Sequence, residues 1–273
     1  MNEDLIIARI EEGRHFVSSF QDEIEGFVSD QDQKKPQPPL VKAPMSKEAV
    51  SLPVNYEDLP ITNDFLKVIN SRSSHRVFTS EGISLLELSY LLWCCQGVKE
   101  LRGKSYATLR TVPSGGARHA FECYLAIQKV EGLKPGLWHY LPMTHQIEFL
   151  SSPENLKHLI GESLCEQVWA EKADAVFYLS AVFRRAEWRY GPYAHVPMLM
   201  DSGHVFENLY LACTSIGLGG CAIAAVDGKI ADQAFTCDGK EETIFYAMPV
   251  GTISEKDQAE EKNFYAFVKE QGL

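Results

Sequence analysis

The chain has 273 residues, 45% of them apolar and 11% aromatic, enough to bury the core of one large domain. Its formal net charge of −11 repels phosphate backbones and anionic lipid, which disfavours nucleic acid and membrane surfaces as partners. Seven cysteines without a CxxC pair suggest neither a disulfide framework nor a zinc site, and no long apolar N-terminal core suggests a signal peptide. A cytoplasmic protein is expected.

Residues 1 to about 30 carry a helical pattern, and the Pro-rich stretch 31–44 reads as an extended linker or a strap over the domain surface. The division expected is an N-terminal helix and strap over 1–58 and an organised body over 59–273. Phe65, Val68 and Ile69 have helical spacing, with Thr62 or Asn63 available as cap. Ser84 and Glu87 form a capping box before an apolar helix that stops at Gly97. Residues 123–130 read as a strand, and 137–140 with 146–150 as an antiparallel hairpin. A helix over 154–164 and a strand over 175–183 follow. In the long helix ending at Gly217, Leu199, Gly203, Phe206, Leu209, Cys213 and Ile216 step along one face. An extended piece over 221–226, a short helix over 227–235 and a strand over 243–248 complete the body. Irregular alternation with an antiparallel hairpin points to an α+β fold with a central mixed or antiparallel sheet flanked by helices.

The sequence has no GxSxG, HExxH, Walker loop or GxGxxG. Asp201 and His204, three apart on one helical face, suit a metal, a proton relay or a side-chain pair that holds a helix; with no third ligand, no metal is expected. Arg72-Ser73-Ser74-His75-Arg76 sets two guanidinium groups beside hydroxyls, a combination that suits a phosphate monoester. Pro113-Ser114-Gly115-Gly116-Ala117 has no large side chain, so its backbone can approach a planar ligand closely.

In this order and spacing, the three segments Arg72–Arg76, 113–117 and 217–225 resemble the nitroreductase superfamily, nearest its SagB-like branch of azoline-oxidising enzymes, from about residue 38 to 251. The resemblance implies an intertwined homodimer with FMN at the interface. Arg72, Ser73 and Ser74 would hold the phosphate and ribityl chain, and Arg76 would lie near the flavin N1/O2 edge. Pro113, Ser114, Gly115 and Gly116 would pack on the flavin from the second subunit. Ala222, Ile223, Ala224 and Ala225 would pass the isoalloxazine, an amide of Ala224 or Ala225 donating to N5.

Two departures qualify the resemblance. The Lys-Tyr pair of the azoline-oxidising enzymes is Arg189-Tyr190 here, and arginine is a poor proton acceptor. In place of a terminal basic clasp, Pro249-Val250-Gly251-Thr252 leads into an acidic stretch over 255–261, so Arg110 or Arg118 is a candidate to assist at the phosphate. The expected activity is two-electron transfer from NAD(P)H to a small acceptor such as a nitroaromatic or quinone. Arg189, Tyr190 and His204 are the candidates for the second substrate's pocket. Oxidation of a peptide or small heterocycle, and flavin binding without turnover, are the alternatives.

Overall fold

The computed structural model describes residues 3–20, 22–256, 258–259, 266 and 270–272. Among them the strands in chain order are β1 (Ala49–Ser51), β2 (Val98–Arg102), β3 (Ala107–Arg110), β4 (Phe121–Ile127), β5 (Gly136–Leu141), β6 (Gln146–Ser151), β7 (Ala175–Val182), β8 (Leu218–Gly220) and β9 (Glu242–Thr252). Seven form one sheet in the order β1-β6-β5-β4-β7-β9-β8, and β2 pairs with β3 as a separate hairpin. Every pairing of these strands is antiparallel. The parallel contribution is one bridge, Ile83 to Val130. The α+β class read from the sequence is the class observed.

Alternation along the central strand explains how the sheet is covered. Phe121, Cys123, Leu125 and Ile127 enter one apolar cluster, while Tyr124 and Ala126 enter another on the opposite face. Both faces are covered, so all seven residues of β4 are buried. The helices are α1 (Glu3–Ser18), α2 (Phe65–Ser71), α3 (Leu85–Gln96), α4 (Leu156–Ser163), α5 (Phe183–Tyr190), α6 (His195–Ser215) and α7 (Gly228–Phe235). Residues of α3 and α6 fill the first cluster, and residues of α4 and α7 fill the second.

Local signals set most helix boundaries. The Ser84 hydroxyl accepts from the Glu87 amide, and the Glu87 carboxylate accepts from the Ser84 amide at 2.6 Å, completing the expected capping box of α3. Gly217 ends α6 at φ +77, as its place predicts. The cap of α2 is a correction. Asp64, rather than Thr62 or Asn63, accepts from the Lys67 amide at 3.0 Å.

The periodic face of α6 also needs correction at its start. Phe206, Leu209 and Cys213 are buried, but Leu199 is 52% exposed. There the helix borders an open apolar cleft of about 180 Å³, lined by Phe121, Phe183, Met198, Leu199 and Phe245 among others, and Gly203 is exposed as well. Strand β1, hairpin β2–β3 and the end of α1 at Ser18 were not foreseen. Residues 257, 260 and 261 of the acidic stretch lie outside the described residues.

Residues 31–48 form neither helix nor strand and cross the polar end of the second sheet face. Backbone groups without a ladder need side-chain partners. The Lys42 amide donates to Glu122 at 2.7 Å, and the Met45 and Ser46 amides donate to Glu148 at 2.8 and 2.6 Å. The Lys35 and Pro39 carbonyls accept from Trp188 Nε1 and Arg185 Nε, both at 3.0 Å. His139 joins the two acids, with Nδ1 2.7 Å from Glu148 and Nε2 3.3 Å from Glu122, and Arg185 also pairs with Glu122. Burial works against the charge on Glu122, yet Arg185 and His139 hold its carboxyl well below the usual range. Burial likewise opposes the charge on His139, but the two acids raise its pKa.

The strap's attachment is therefore pH-dependent at both ends. The raised imidazole contributes fully below its unfolded value of about 6.5, and that contribution fades as pH rises through the folded value. Glu122 and Glu148, both lowered, contribute above about 4.3 and lose that contribution as pH falls. After correction for intrinsic exchange rates, hydrogen exchange at the amides of Lys42, Met45 and Ser46 is expected to be most protected between about pH 4.5 and 6.5. Glu122→Gln strands the Arg185 cation and should cost about 3–5 kcal/mol in urea unfolding.

Candidate functional site

Two of the three segments singled out in the sequence meet at a corner built by α6. Arg72 is the C-cap of α2, and its guanidinium lies 5.4 Å from the centre of the Tyr210 ring. The Tyr210 hydroxyl is 3.1 Å from Ser74 Oγ and accepts from the Ala222 amide at 2.7 Å. The His75 amide donates to the Gly220 carbonyl at 2.9 Å. Gly219 permits this approach, because a Cβ there would stand 2.8 Å from His75 Cβ. Ser73 is exposed between these anchored residues. Arg76 lies 5.9 Å over Trp169, which packs on the second apolar cluster. Arg72 is therefore the guanidinium that shares the Tyr210 corner.

Beyond Ala222 the chain makes one bridge to β9, Ile223 with Ala247, and then turns outward. Ile223 is buried, whereas Ala224 and Ala225 are exposed. Among the described residues, no hydrogen bond uses the amide of either alanine. A cation, hydroxyls and two exposed amides form a donor set that fits an anion at one end and a heterocycle edge at the other.

The Pro113 loop lies elsewhere, at a second corner of the same helix. Asp201 accepts from the Ser114 hydroxyl at 2.8 Å and from the Gly115 amide at 2.9 Å. Gly116 is left-handed at φ +57, and a Cβ there would stand 2.6 Å from both Arg189 Nε and Tyr190 Oη. Arg189 in turn donates to the Tyr106 hydroxyl at 3.0 Å and to Gln31 of the strap at 3.2 Å. His204, expected beside Tyr190, is 51% exposed, and its Nδ1 is 3.8 Å from Asp201. The Asp201–His204 spacing is real, but the main work of Asp201 is to hold the loop. Burial raises its pKa despite the two donors from Ser114 and Gly115.

Asp201 and Tyr210 are nine residues apart, which places them on opposite sides of α6 and about 13 Å apart along its axis. One chain therefore does not bring all three segments into a single cleft. Beside Asp201, Leu199 and Met200 are exposed by 52% and 58%. Arg110 and Arg118, considered as phosphate ligands, are buried and internally bonded. Arg110 donates to Gln96 and Thr108, and Arg118 donates to the carbonyls of Gly116 and Tyr106. Sequence reasoning missed Tyr210 and Tyr106, and it paired Asp201 with His204 rather than with the Pro113 loop; Ser74 lies 136 residues from Tyr210, and Ser114 lies 87 from Asp201. For Tyr210, only the helical phase of α6 could have drawn attention to it.

Comparison with known proteins gives a consistent result. Residues 69–252 match the model of the nitroreductase family. A Methanocaldococcus jannaschii protein named as a nitroreductase, MJ1384, is 32% identical over 158 residues, covering 58% of this chain and 77% of its own. The trifolitoxin-processing protein TfxB of Rhizobium leguminosarum bv. trifolii is 28% identical over 145 residues, 52% of this chain and 39% of TfxB. A chain of the Escherichia coli microcin synthetase McbBCD complex, solved with truncated pro-MccB17 bound, shares the fold with a TM-score of 0.56 at 16% identity, over 93% of this chain and 95% of that one. The last two fit the SagB-like branch.

Removal of the Asp201 carboxylate tests the second corner. Asp201→Ala leaves the Ser114 hydroxyl and the Gly115 amide without their acceptor and should cost about 1–3 kcal/mol in urea unfolding. Hydrogen exchange at Gly115 should quicken, while exchange at Ala222 should not change.

Proposed function

The chain belongs to the nitroreductase family, and on that premise we propose that it is an FMN-dependent oxidoreductase acting as a homodimer. The observation that carries this reading is the exposed pair Ala224 and Ala225, whose amides make no hydrogen bond among the described residues, set beside a corner that presents Arg72 and Ser74. When bound, FMN supplies reversible two-electron chemistry. The roles proposed for the chain are to bind and orient. Arg72, Ser73 and Ser74 take the phosphate and ribityl end, Arg76 stands toward Trp169, and residues 222–225 border the ring system with an amide directed to it. Residues 1–58 act as an arm over the body of 59–273.

The dimer is supported by the separation of the two corners on α6 and by the exposed Leu199 and Met200. A second copy that covers this face would bring its own loop of Pro113, Ser114, Gly115 and Gly116 to the cofactor. Arg189, Tyr190 and His204 then stand near the second substrate. NAD(P)H is the proposed reductant and a small molecule the acceptor. The thiols of the described residues are all unpaired, which suits the reducing cytoplasm proposed here.

A second reading, oxidation of a peptide or small heterocycle, is favoured by the likeness to TfxB and by Tyr190 itself. Base catalysis by the residue before that tyrosine is opposed by the structure. Burial would lower the pKa of Arg189, but the oxygens of Tyr190 and Tyr106 raise it, so the guanidinium keeps its proton.

An absorption spectrum of the purified protein, followed by anaerobic mixing with NADH or NADPH, separates these readings. A flavin band near 450 nm that bleaches with a nicotinamide is the expected result, with a dimer in sedimentation (about 450 nm for oxidised flavin). Protein that stays colourless after FMN is added would refute the cofactor. A yellow protein inert to both nicotinamides but bleached by a heterocyclic peptide would support the second reading. Inertness to every donor would leave flavin binding alone.

A further inference from the structure

The hydrogen bonds around Tyr210 have a direction that their distances alone do not convey. The Ala222 amide can only donate, so the phenol oxygen is its acceptor at 2.7 Å. Ser74 Oγ lies 3.1 Å from the same oxygen, a pair in which either hydroxyl can donate; with an anion beside Ser74, the Ser74 proton turns to the anion and the Tyr210 proton to Ser74. Among the described residues Ser74 Oγ has no second hydrogen-bond partner, so it can turn its proton to a ligand without giving up another bond. Each donation polarises the next hydroxyl in the chain. The Arg72 guanidinium, 5.4 Å over the same ring, adds a cation to the corner.

We propose that Tyr210 is a positioning residue for the cofactor: its hydroxyl backs Ser74 as a donor toward an anionic oxygen and ties that donor to the segment beginning at Ala222. The inference rests on the FMN reading above, and it assigns the corner to the phosphate end of the molecule. Tyr210 itself touches no phosphate. It acts through Ser74, through the seat of Arg72 and through the Ala222 amide. Because the phosphate arm and the 222–225 segment share one hydroxyl, loss of that hydroxyl should be felt most by a flavin that carries a phosphate.

Flavin-free protein, titrated with FMN and with riboflavin and followed by quenching of flavin fluorescence, provides the test. Tyr210→Phe keeps the ring, and with it the Arg72 contact, while removing the hydroxyl. It should weaken FMN about tenfold, the equivalent of one net hydrogen bond, and riboflavin by about twofold at most. Ser74→Ala should reproduce the FMN loss, Ser74→Thr should restore most of it, and Tyr210→Phe combined with Ser74→Ala should be no weaker than Ser74→Ala alone. Tyr210→Phe leaves the Ala222 amide without its acceptor, so a modest fall in the thermal midpoint is expected, and both titrations are run well below that midpoint where the variant is folded. Wild-type FMN affinity in Tyr210→Phe, equal losses for both flavins, or losses that multiply in the double variant would overturn the proposal and leave the cofactor reading standing. A wild-type protein that binds neither flavin would overturn both.

Discussion

A stretch of chain without secondary structure lies over the buried face of a sheet, and the rest of the molecule is arranged to permit it. The amides of Lys42, Met45 and Ser46 have no ladder partner, and the carboxylates of Glu122 and Glu148 serve them instead. Two carboxylates in so dry a place need compensating charge, which His139 and Arg185 provide. Lys42, Tyr124, Ser180 and Glu242 form a second set beside the first. The polar side chains on one end of β4, β5 and β6 thus belong to the strap as much as to the sheet.

The same strap reaches the candidate site. Gln31 contacts both Arg189 and Tyr106, and Gln37 donates to the Ser105 carbonyl on the turn of the β2–β3 hairpin. Arg118 stacks between Tyr106 and Trp188, at 5.0 and 5.3 Å from their ring centres. The Pro113 loop is consequently held from three directions: by Asp201 beneath, by Arg118 at its end and by the Arg189–Tyr190 pair across Gly116. A loop of small residues, which would wander if left alone, becomes a fixed surface.

Helix α6 gives the arrangement its scale. It carries Asp201 under one segment and Tyr210 under another, on opposite sides and about 13 Å apart. One chain by itself keeps these two corners apart on a single rigid element. The net charge of −11 does not prevent anion binding, because Arg72 and Arg189 act at short range within their own corners, where distant surface acids are screened.

Much of this was legible before any coordinates. The capping box at Ser84, the glycine stop at Gly217, the β5–β6 hairpin and the periodic stretch from Phe206 to Cys213 are local signals, and local physics decides them. The ordered segments Arg72–Arg76, 113–117 and 217–225 pointed to the family that residues 69–252 match, since each is a short local pattern of residue types. The α2 cap was misplaced by one or two residues because Thr, Asn and Asp cap equally well by composition. Leu199 fitted the periodicity but missed the core, since periodicity cannot say where the sheet beneath a helix ends. Tyr210 and Glu122 read as an ordinary aromatic residue and an ordinary acid, and Asp201 as the helical neighbour of His204. Ser74, Lys42 and Ser114 lie 136, 80 and 87 residues from Tyr210, Glu122 and Asp201, and only tertiary packing brings such distant groups together. What the sequence by itself determined was the family and those elements with strong local signals; the tertiary structure decided which residues face one another, because long-range pairing depends on the packed sheet and not on any local rule.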